Sequence, residues 1–293
     1  MIIALAIMSN RPEPFLGAML ESIADAVDLL VLNDNSSDPG NSNLGVVRES
    51  KLYKNGKVHL IFSEFEGFAP ARNLCLDYIK KSVKNDSWVI MQDCDEVHAP
   101  SFTALTRKIL PNLPERYGVV DGYFYQFVQT FDYFTSLDRR HNLIFRFYPD
   151  VRWEGDVHEK LVNLKGERLA TPYIYFHYGY CFPLKDILGK LRHYGTLGDE
   201  ENKSAQNMSH ERLLDGNAMH CIQFKKSHPP SMKPVIEGIN EKFKEELSRF
   251  DAIIKRQTFM MRLRNSFRNL NFKLRIFWRT LQLKWILMKN HKR

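Results

Sequence analysis

Short, unbroken apolar runs alternate with helically spaced segments over the first hundred residues. Residues 2–8, 29–32, 58–62 and 88–91 are continuous apolar stretches bounded by polar turns, the pattern of strands buried on both faces of a parallel sheet. Between them, residues 14–26 and 70–81 carry apolar positions at helical intervals. Pro12 and Pro14 suit a helix start, because the first turn needs no donated backbone N–H. Strand and helix in alternation predict a doubly wound α/β sheet.

The pattern changes after residue 115. Segments 118–130 and 142–148 are aromatic and β-branched with partial alternation, which predicts strands, and Asp138-Arg139-Arg140-His141 reads as the turn between them. Residues 173–178 form a further strand candidate. A helix is expected over 183–194, continuing into a polar helical region near 199–215. His228-Pro229-Pro230 breaks the chain, and an amphipathic helix resumes over 235–255. In the tail, Met260, Leu263, Phe267, Leu270, Leu274, Phe277, Leu281, Trp285 and Met288 recur at steps of three and four, one apolar face of a long helix.

Charge sharpens the reading of that tail. The net charge of +8 belongs to residues 252–293, which hold 12 Lys or Arg and no Asp or Glu, leaving 30 basic against 34 acidic residues before them. Arg264, Arg268, Arg275 and Arg279 fall largely off the apolar face. A basic amphipathic helix of this kind lies on an anionic membrane surface, packs on its own domain or joins a second subunit, and periodicity does not choose among them. Interleaved aromatic and basic residues also fit a nucleic-acid binder, against which stands the acidic balance of the main body.

Composition narrows the setting. At 293 residues and 44% hydrophobic, the chain suffices for one large α/β domain or a domain with an appendage. Cys75, Cys94, Cys181 and Cys221 are scattered without Cys-x-x-Cys spacing, so a reduced intracellular setting is expected. The run 2–8 lacks a basic leader and is too short for a signal peptide core, and reads as a first buried strand. No stretch approaches the roughly 18 uninterrupted apolar residues of a membrane span.

The chemistry concentrates in four places. Asp93-Cys94-Asp95, followed by Glu96, puts three carboxylates into four positions at the end of an apolar strand. Carboxylates this close repel unless a cation or solvent answers them, and strand carboxyl ends are where open α/β sheets bind ligands. The cluster is therefore a divalent-metal clamp for a phosphate-bearing ligand, or a solvated acidic turn. Asn33-Asp34-Asn35-Ser36-Ser37-Asp38 follows the neighbouring strand and either forms a plain loop or points Asp34 into the same crevice, where it would accept a base or ribose hydrogen bond. Gly67 to Asn73 leads into a helix whose first amides favour anions, and Arg72 adds a fork of donors suited to phosphate. In Trp153-Glu154-Gly155-Asp156-Val157-His158-Glu159, any of the three carboxylates is a candidate general base and His158 a metal ligand or orienting group. His177, beside an aromatic run, is a hydrogen-bonded core residue or a ligand.

Taken together, the segments 9–16 (SNRPEPFL), 31–38 (VLNDNSSD), 67–78 (GFAPARNLCLDY), 88–96 (WVIMQDCDE) and 146–161 (RFYPDVRWEGDVHEKL) stand in the order and spacing of family 2 glycosyltransferases. The chain resembles that family over about residues 2–200, and within it bacterial sugar-transfer enzymes with a Val-His-Glu segment. The resemblance implies an α/β GT-A fold, Rossmann-like, with a mixed, mainly parallel sheet flanked by helices and a C-terminal helical extension. It implies a GT-A domain over 1–230, with a nucleotide-binding half over about 1–115 and an acceptor half over about 116–230, followed by the extension over 231–293.

The resemblance also assigns roles. Met8, Asn10, Arg11 and Asp34 would hold the nucleotide base, Arg72 would lie near the base and diphosphate, and Asp93 would approach ribose and metal. Asp95 would ligate Mn²⁺ or Mg²⁺ across the two phosphates, with His158 and His177 as additional metal or phosphate contacts. Glu96 would face the acceptor side. Glu159 is the first choice for the base and Asp156 the second. The implied reaction is inverting, metal-dependent transfer from a nucleotide-diphosphate sugar, UDP- or GDP-linked, to a saccharide or other hydroxyl acceptor, as in glycan or cell-envelope synthesis. The expected location is cytoplasmic or peripheral on the inner face of a membrane. Two features depart from the family pattern. The second segment reads Asn-Asp-Asn-Ser-Ser-Asp rather than Asp-Asp-x-Ser-x-Asp. The Gln-x-x-Arg-Trp motif of processive synthases is missing, which favours single transfers. The alternatives are a noncatalytic GT-A-fold binding protein and a nucleic-acid binder working through the tail.

Overall fold

The computed structural model describes the chain apart from residues 10, 37, 39, 84–86, 156–158, 197–199, 243 and 291–293, and apart from the side chains of 139–142, 200, 201, 203, 204, 219, 240, 242 and 290. Its elements run β1 (Ile2–Met8), α1 (Leu16–Ile23), β2 (Leu29–Asp34), α2 (Ser42–Glu49), α3 (Lys51–Lys54), β3 (Val58–Phe62), α4 (Phe68–Ser82), β4 (Trp88–Met91), β5 (Glu96–Val97) and α5 (Ser101–Ala104). The second half continues with β6 (Tyr117–Val128), β7 (Thr130–Arg146), β8 (Arg152–Glu154), β9 (Lys160–Val162), β10 (Glu167–Tyr180), α6 (Leu184–Thr196), α7 (His210–His220), β11 (Ile222–Gln223), α8 (Lys233–Lys242), α9 (Lys244–Lys255) and α10 (Phe259–Asn290).

The apolar runs of β1, β2 and β4 became parallel strands covered on both faces, whereas β3, at the sheet edge, is only partly buried and leaves Phe62 exposed. Along β1, Ala4, Ala6 and Met8 join the larger core while Ile3 and Leu5 point into a second core beneath α4, the two-residue alternation of a strand sandwiched between layers. One large sheet runs in the order β3-β2-β1-β4-β7-β6-β10-β5, with β11 on β7. Strands β3, β2, β1 and β4 are mutually parallel, β7 is antiparallel to β4 and β6, and β10 is parallel to β6. The expected mixed α/β GT-A sheet with flanking helices and a C-terminal helix is therefore present. Because β2 and β3 lie on one side of β1 and β4 on the other, the order reverses at β1. In open α/β sheets such a reversal places the ligand crevice there, at the carboxyl ends of the strands.

The turn expected at 138–141 is not a turn. Those residues lie inside β7, with Arg139 opposite Tyr123 and Arg140 opposite Gly122. The chain reverses instead at Gln129, whose φ of 61° is left-handed, with Val128 opposite Thr130. A charged run suggests a loop only when no partner strand demands its backbone. Here the long β6 supplies one.

The tail also differs from a single apolar face. Phe272, Ile276, Leu283, Ile286 and Leu287 of α10 pack on the main core. The periodic set from Met260 to Met288 is exposed on the other side. Among the described residues no helix is long and apolar enough to cross a membrane.

Candidate active site

The crevice is assembled from strand ends held in register. Met8 pairs with Asp34 across β1 and β2, and Leu5 pairs with Met91 at the end of β4, so the segments after all three strands emerge on one edge. The turn after β4 alternates: Cys94 points inward, its thiol donating to the Ile7 carbonyl at 3.3 Å, so Asp93 and Asp95 face the crevice.

A buried polar scaffold fixes this turn. Glu96 is fully buried, and its carboxylate accepts the Asp93 N–H (3.1 Å) and the Tyr175 hydroxyl (2.9 Å). The structure thus gives Glu96 a place behind the turn, holding its shape, rather than on the open acceptor side. The Gln92 side-chain amide donates to the carbonyls of Asp93 (2.9 Å) and Glu96 (2.8 Å), which leaves its oxygen to face His98 Nε2 at 2.6 Å. His98 therefore donates from Nε2 and accepts the Tyr173 hydroxyl at Nδ1, 2.5 Å away. Burial holds His98 neutral and pushes its pKa down to about 3.

Asp95 sits between two cationic candidates. His177 Nε2 from β10 lies 3.3 Å from one carboxylate oxygen, and Lys190 Nζ from α6 lies 3.3 Å from the other while donating to the Gly179 carbonyl at 3.1 Å. Burial alone would raise the Asp95 pKa, but Lys190 and His177 overcome it and hold the group ionised, well below the usual carboxylate range. Lys190 is correspondingly raised against the opposing effect of its own burial. His177 Nδ1 faces the Gln126 side-chain oxygen at 2.7 Å, so that nitrogen carries the proton and Nε2 is turned toward Asp95. Gly179 keeps this corner open: a Cβ there would lie 2.5 Å from Asp95 Oδ2 and 2.9 Å from His177 Nε2.

Arg72, in the second turn of α4 and only 8% exposed, ties the two carboxylate clusters together. It donates to Asp93 at 2.9 Å, pairs with Glu159 through its other terminal nitrogen, and lies 5.1 Å from the Trp153 ring centre. Asn73 clamps the hairpin that carries this cluster, donating to the Trp153 carbonyl (3.0 Å) and accepting the Trp153 N–H (2.8 Å). Asp34 accepts the Ser36 N–H (2.9 Å) and the Asn41 amide (3.2 Å) at one oxygen, and its other oxygen is buried without a hydrogen-bond partner among the described residues. A buried acceptor left open is an available seat for a ligand donor.

Met8 itself is buried in the core, Arg11 is exposed, and Asn10, Asp156 and His158 lie outside the described residues. The structure thus brings Asp34, Arg72, Asp93, Asp95, Glu159 and His177 to one edge. It adds two groups that sequence reading missed, Lys190 and Glu13. Glu13 accepts the Ser9 hydroxyl at 3.3 Å, and burial, followed by repulsion from Asp95, raises its pKa to about 7. Lys190 has no motif around it; Glu13 stood inside the segment SNRPEPFL and carried a signal only as a carboxylate near a strand end.

Comparison with known proteins places this arrangement. No curated protein matches the sequence. Among solved structures, a mannosyltransferase from Pyrobaculum calidifontis in complex with GDP-Man and Mn²⁺ is 12% identical, over 99% of this chain and 86% of that one, with a TM-score of 0.40. TarS 1-349 of S. aureus is 14% identical, over 86% and 83%, with a TM-score of 0.35. Mannose-6-phosphate isomerase from Helicobacter pylori is 12% identical, over 48% of this chain and 60% of that one, with a TM-score of 0.30. Scores this low carry no argument about this chain. The family model for Glycosyl transferase family 2 matches residues 5–169, more than half of the sequence and all of the crevice-forming strand ends. The chain belongs to glycosyl transferase family 2 and is a glycosyltransferase.

Proposed function

We propose that the protein transfers a sugar from a nucleotide-diphosphate donor to an acceptor hydroxyl, one residue at a time and with inversion at the anomeric carbon. The observation that carries this reading is the single edge on which Asp34, with an open buried oxygen, meets the Asp93–Asp95 pair and the Arg72–Glu159 pair. Asp34 supplies the acceptor for the nucleoside, with Arg11 and the backbone after Met8 beside it. The donor's diphosphate lies between Arg72 and the carboxylates, and the acceptor approaches from the side formed by residues beyond about 116.

The donor set fits a divalent ion. Asp93 and Asp95 are hard oxygen ligands, and ions of the Mg²⁺ type are usually held by one or two carboxylates together with substrate phosphates. Among the described residues no three His, Cys, Asp or Glu side chains are grouped to hold an ion by themselves. Asp93 and Asp95, with His177 beside them, would therefore hold Mn²⁺ or Mg²⁺ together with the donor's phosphates, and the ion would supply positive charge to the departing diphosphate. In the absence of that charge the Lys190 ammonium balances Asp95, 3.3 Å away.

The protein's own groups do the rest. As the donor binds, the diphosphate competes for the Arg72 guanidinium and loosens its pairing with Glu159, which frees that carboxylate to accept a hydrogen bond from the acceptor hydroxyl. Glu159 takes the proton of the acceptor hydroxyl as its oxygen bonds to the anomeric carbon. The bond to the diphosphate breaks on the opposite face, and its electron pair leaves on the phosphate oxygen, where Arg72 stabilises it. Aligning both substrates accounts for much of the remaining acceleration.

A thermal-shift screen of UDP- and GDP-linked sugars with and without Mn²⁺ tests the donor class. A donor at one hundred times its dissociation constant stabilises the fold by about 2.7 kcal/mol. Stabilisation by one donor class that needs the metal and disappears in Asp95→Asn supports the reading. No response to any nucleotide sugar would count against it.

A further inference from the structure

Helix α10 buries one side and leaves the other bare. Asn265 and Arg268 fasten the buried side, donating to the Cys221 carbonyl (3.0 Å) and the Thr135 carbonyl (2.6 Å), and Phe272, Ile276, Leu283 and Ile286 pack it on the core. The outer side is apolar yet open: Phe267, Leu270, Leu274, Phe277 and Trp285 are all more than half exposed, and Trp278 beside them is 66% exposed. At 3.6 residues per turn these positions fill an arc about 100° wide, opposite the buried arc, along a helix about 48 Å long.

The rims of this stripe are basic on both edges. The same spacing puts Arg264, Arg275 and Lys289 along one edge and Arg262, Lys273 and Lys284 along the other, in a segment without a single acidic residue. A double row of cations enclosing an apolar band is complementary to phosphate headgroups above acyl chains. It is poorly complementary to itself, since a two-fold copy would bring the same rims together and set cation against cation. Trp278 and Trp285 add rings suited to the headgroup boundary.

We propose that the outer face of α10 is a docking surface for bilayers that contain anionic lipid, with the helix lying in the plane of the interface. The surface is already formed in the folded chain, because the opposite face is committed to the core. Docking does not depend on sugar transfer, and its test uses no turnover.

The full chain is mixed with sedimentable vesicles of phosphatidylcholine alone, or of phosphatidylcholine with about one third phosphatidylglycerol. Co-sedimentation with the anionic vesicles, reversed by high salt and accompanied by a blue shift in tryptophan emission, is expected. Arg264→Ala with Arg275→Ala weakens binding about thirtyfold, the factor for two basic contacts to an anionic surface. Leu270→Glu with Trp285→Glu abolishes it while the thermal midpoint stays put, since both side chains stand outside the core. Failure to bind anionic vesicles overturns the proposal, as does equal binding by the Leu270→Glu, Trp285→Glu variant. So does binding to RNA alone, or a concentration-dependent dimer that the same variant dissolves without any vesicle binding.

Discussion

The substitution Glu13→Gln separates what the site costs from what it does. Burial and the Asp95 carboxylate raise the folded pKa of Glu13 from 4.5 to about 7. A carboxyl with a raised folded pKa takes up a proton on folding between those two values. Its favourable contribution is full below pH 4.5 and is lost as pH rises through 7. Above pH 7 the folded protein carries an ionised carboxylate in a buried, negative corner, at a cost of roughly 3 kcal/mol for a difference of about 2.5 pH units. The amide that replaces the carboxyl has the same shape and no charge. The variant is therefore expected to match the wild type near pH 4.5 and to exceed its stability by about 2 to 3 kcal/mol at pH 8.5, a gain of about 4 °C in thermal midpoint. Differential scanning calorimetry at the two pH values measures this. An equal change at both would refute the electrostatic origin, and a loss of stability confined to pH 8.5 would reverse its sign.

Gly179→Ala should leave far-UV circular dichroism unchanged and lower transfer activity by at least about a hundredfold, because its Cβ would press on Asp95 and His177. Arg72→Lys keeps the charge but loses the fork that reaches Asp93 and Glu159, and kcat/KM should fall by about 100-fold or more, read in a steady-state assay. His98 works in the opposite pH direction from Glu13. Its folded pKa of about 3 lies below the ordinary 6.5, so the unfolded chain binds the proton first and stability declines as pH falls from 6.5. Urea midpoints at pH 7 and 4.5 should show His98→Gln to be less stable at pH 7 but about 2 to 3 kcal/mol less sensitive to the acid shift.

Much of the first half of the chain was legible in the sequence, for a physical reason. Strands buried on both faces must be continuously apolar, and the polar groups that follow them must lie on one edge when the strands are parallel. Asp34, Arg72, Asp93 and Asp95 were readable from those two facts together with the family resemblance. Contacts made by distant segments were less readable. Lys190 comes to Asp95 from a helix almost a hundred residues later, and no local pattern distinguishes it from a surface lysine. Glu96 looked like a third crevice carboxylate because spacing shows proximity to a turn but not which way a side chain faces. The reversal at Gln129 carried no Asn-Gly or Asp-Gly signal, while the charged run 138–141 imitated one. In α10 the period of the apolar residues was plain, but a period does not name the face that packs. The helix has a second, less regular apolar face, and that one met the core.

Single-turnover transfer followed by proton NMR tests the central claim most directly. With its donor, Mn²⁺ and an acceptor, the wild type should give a glycoside whose anomeric coupling is opposite to that of the donor. Asp95→Asn, folded by circular dichroism, should give none. A product with retained configuration, or undiminished transfer by Asp95→Asn, would contradict the account.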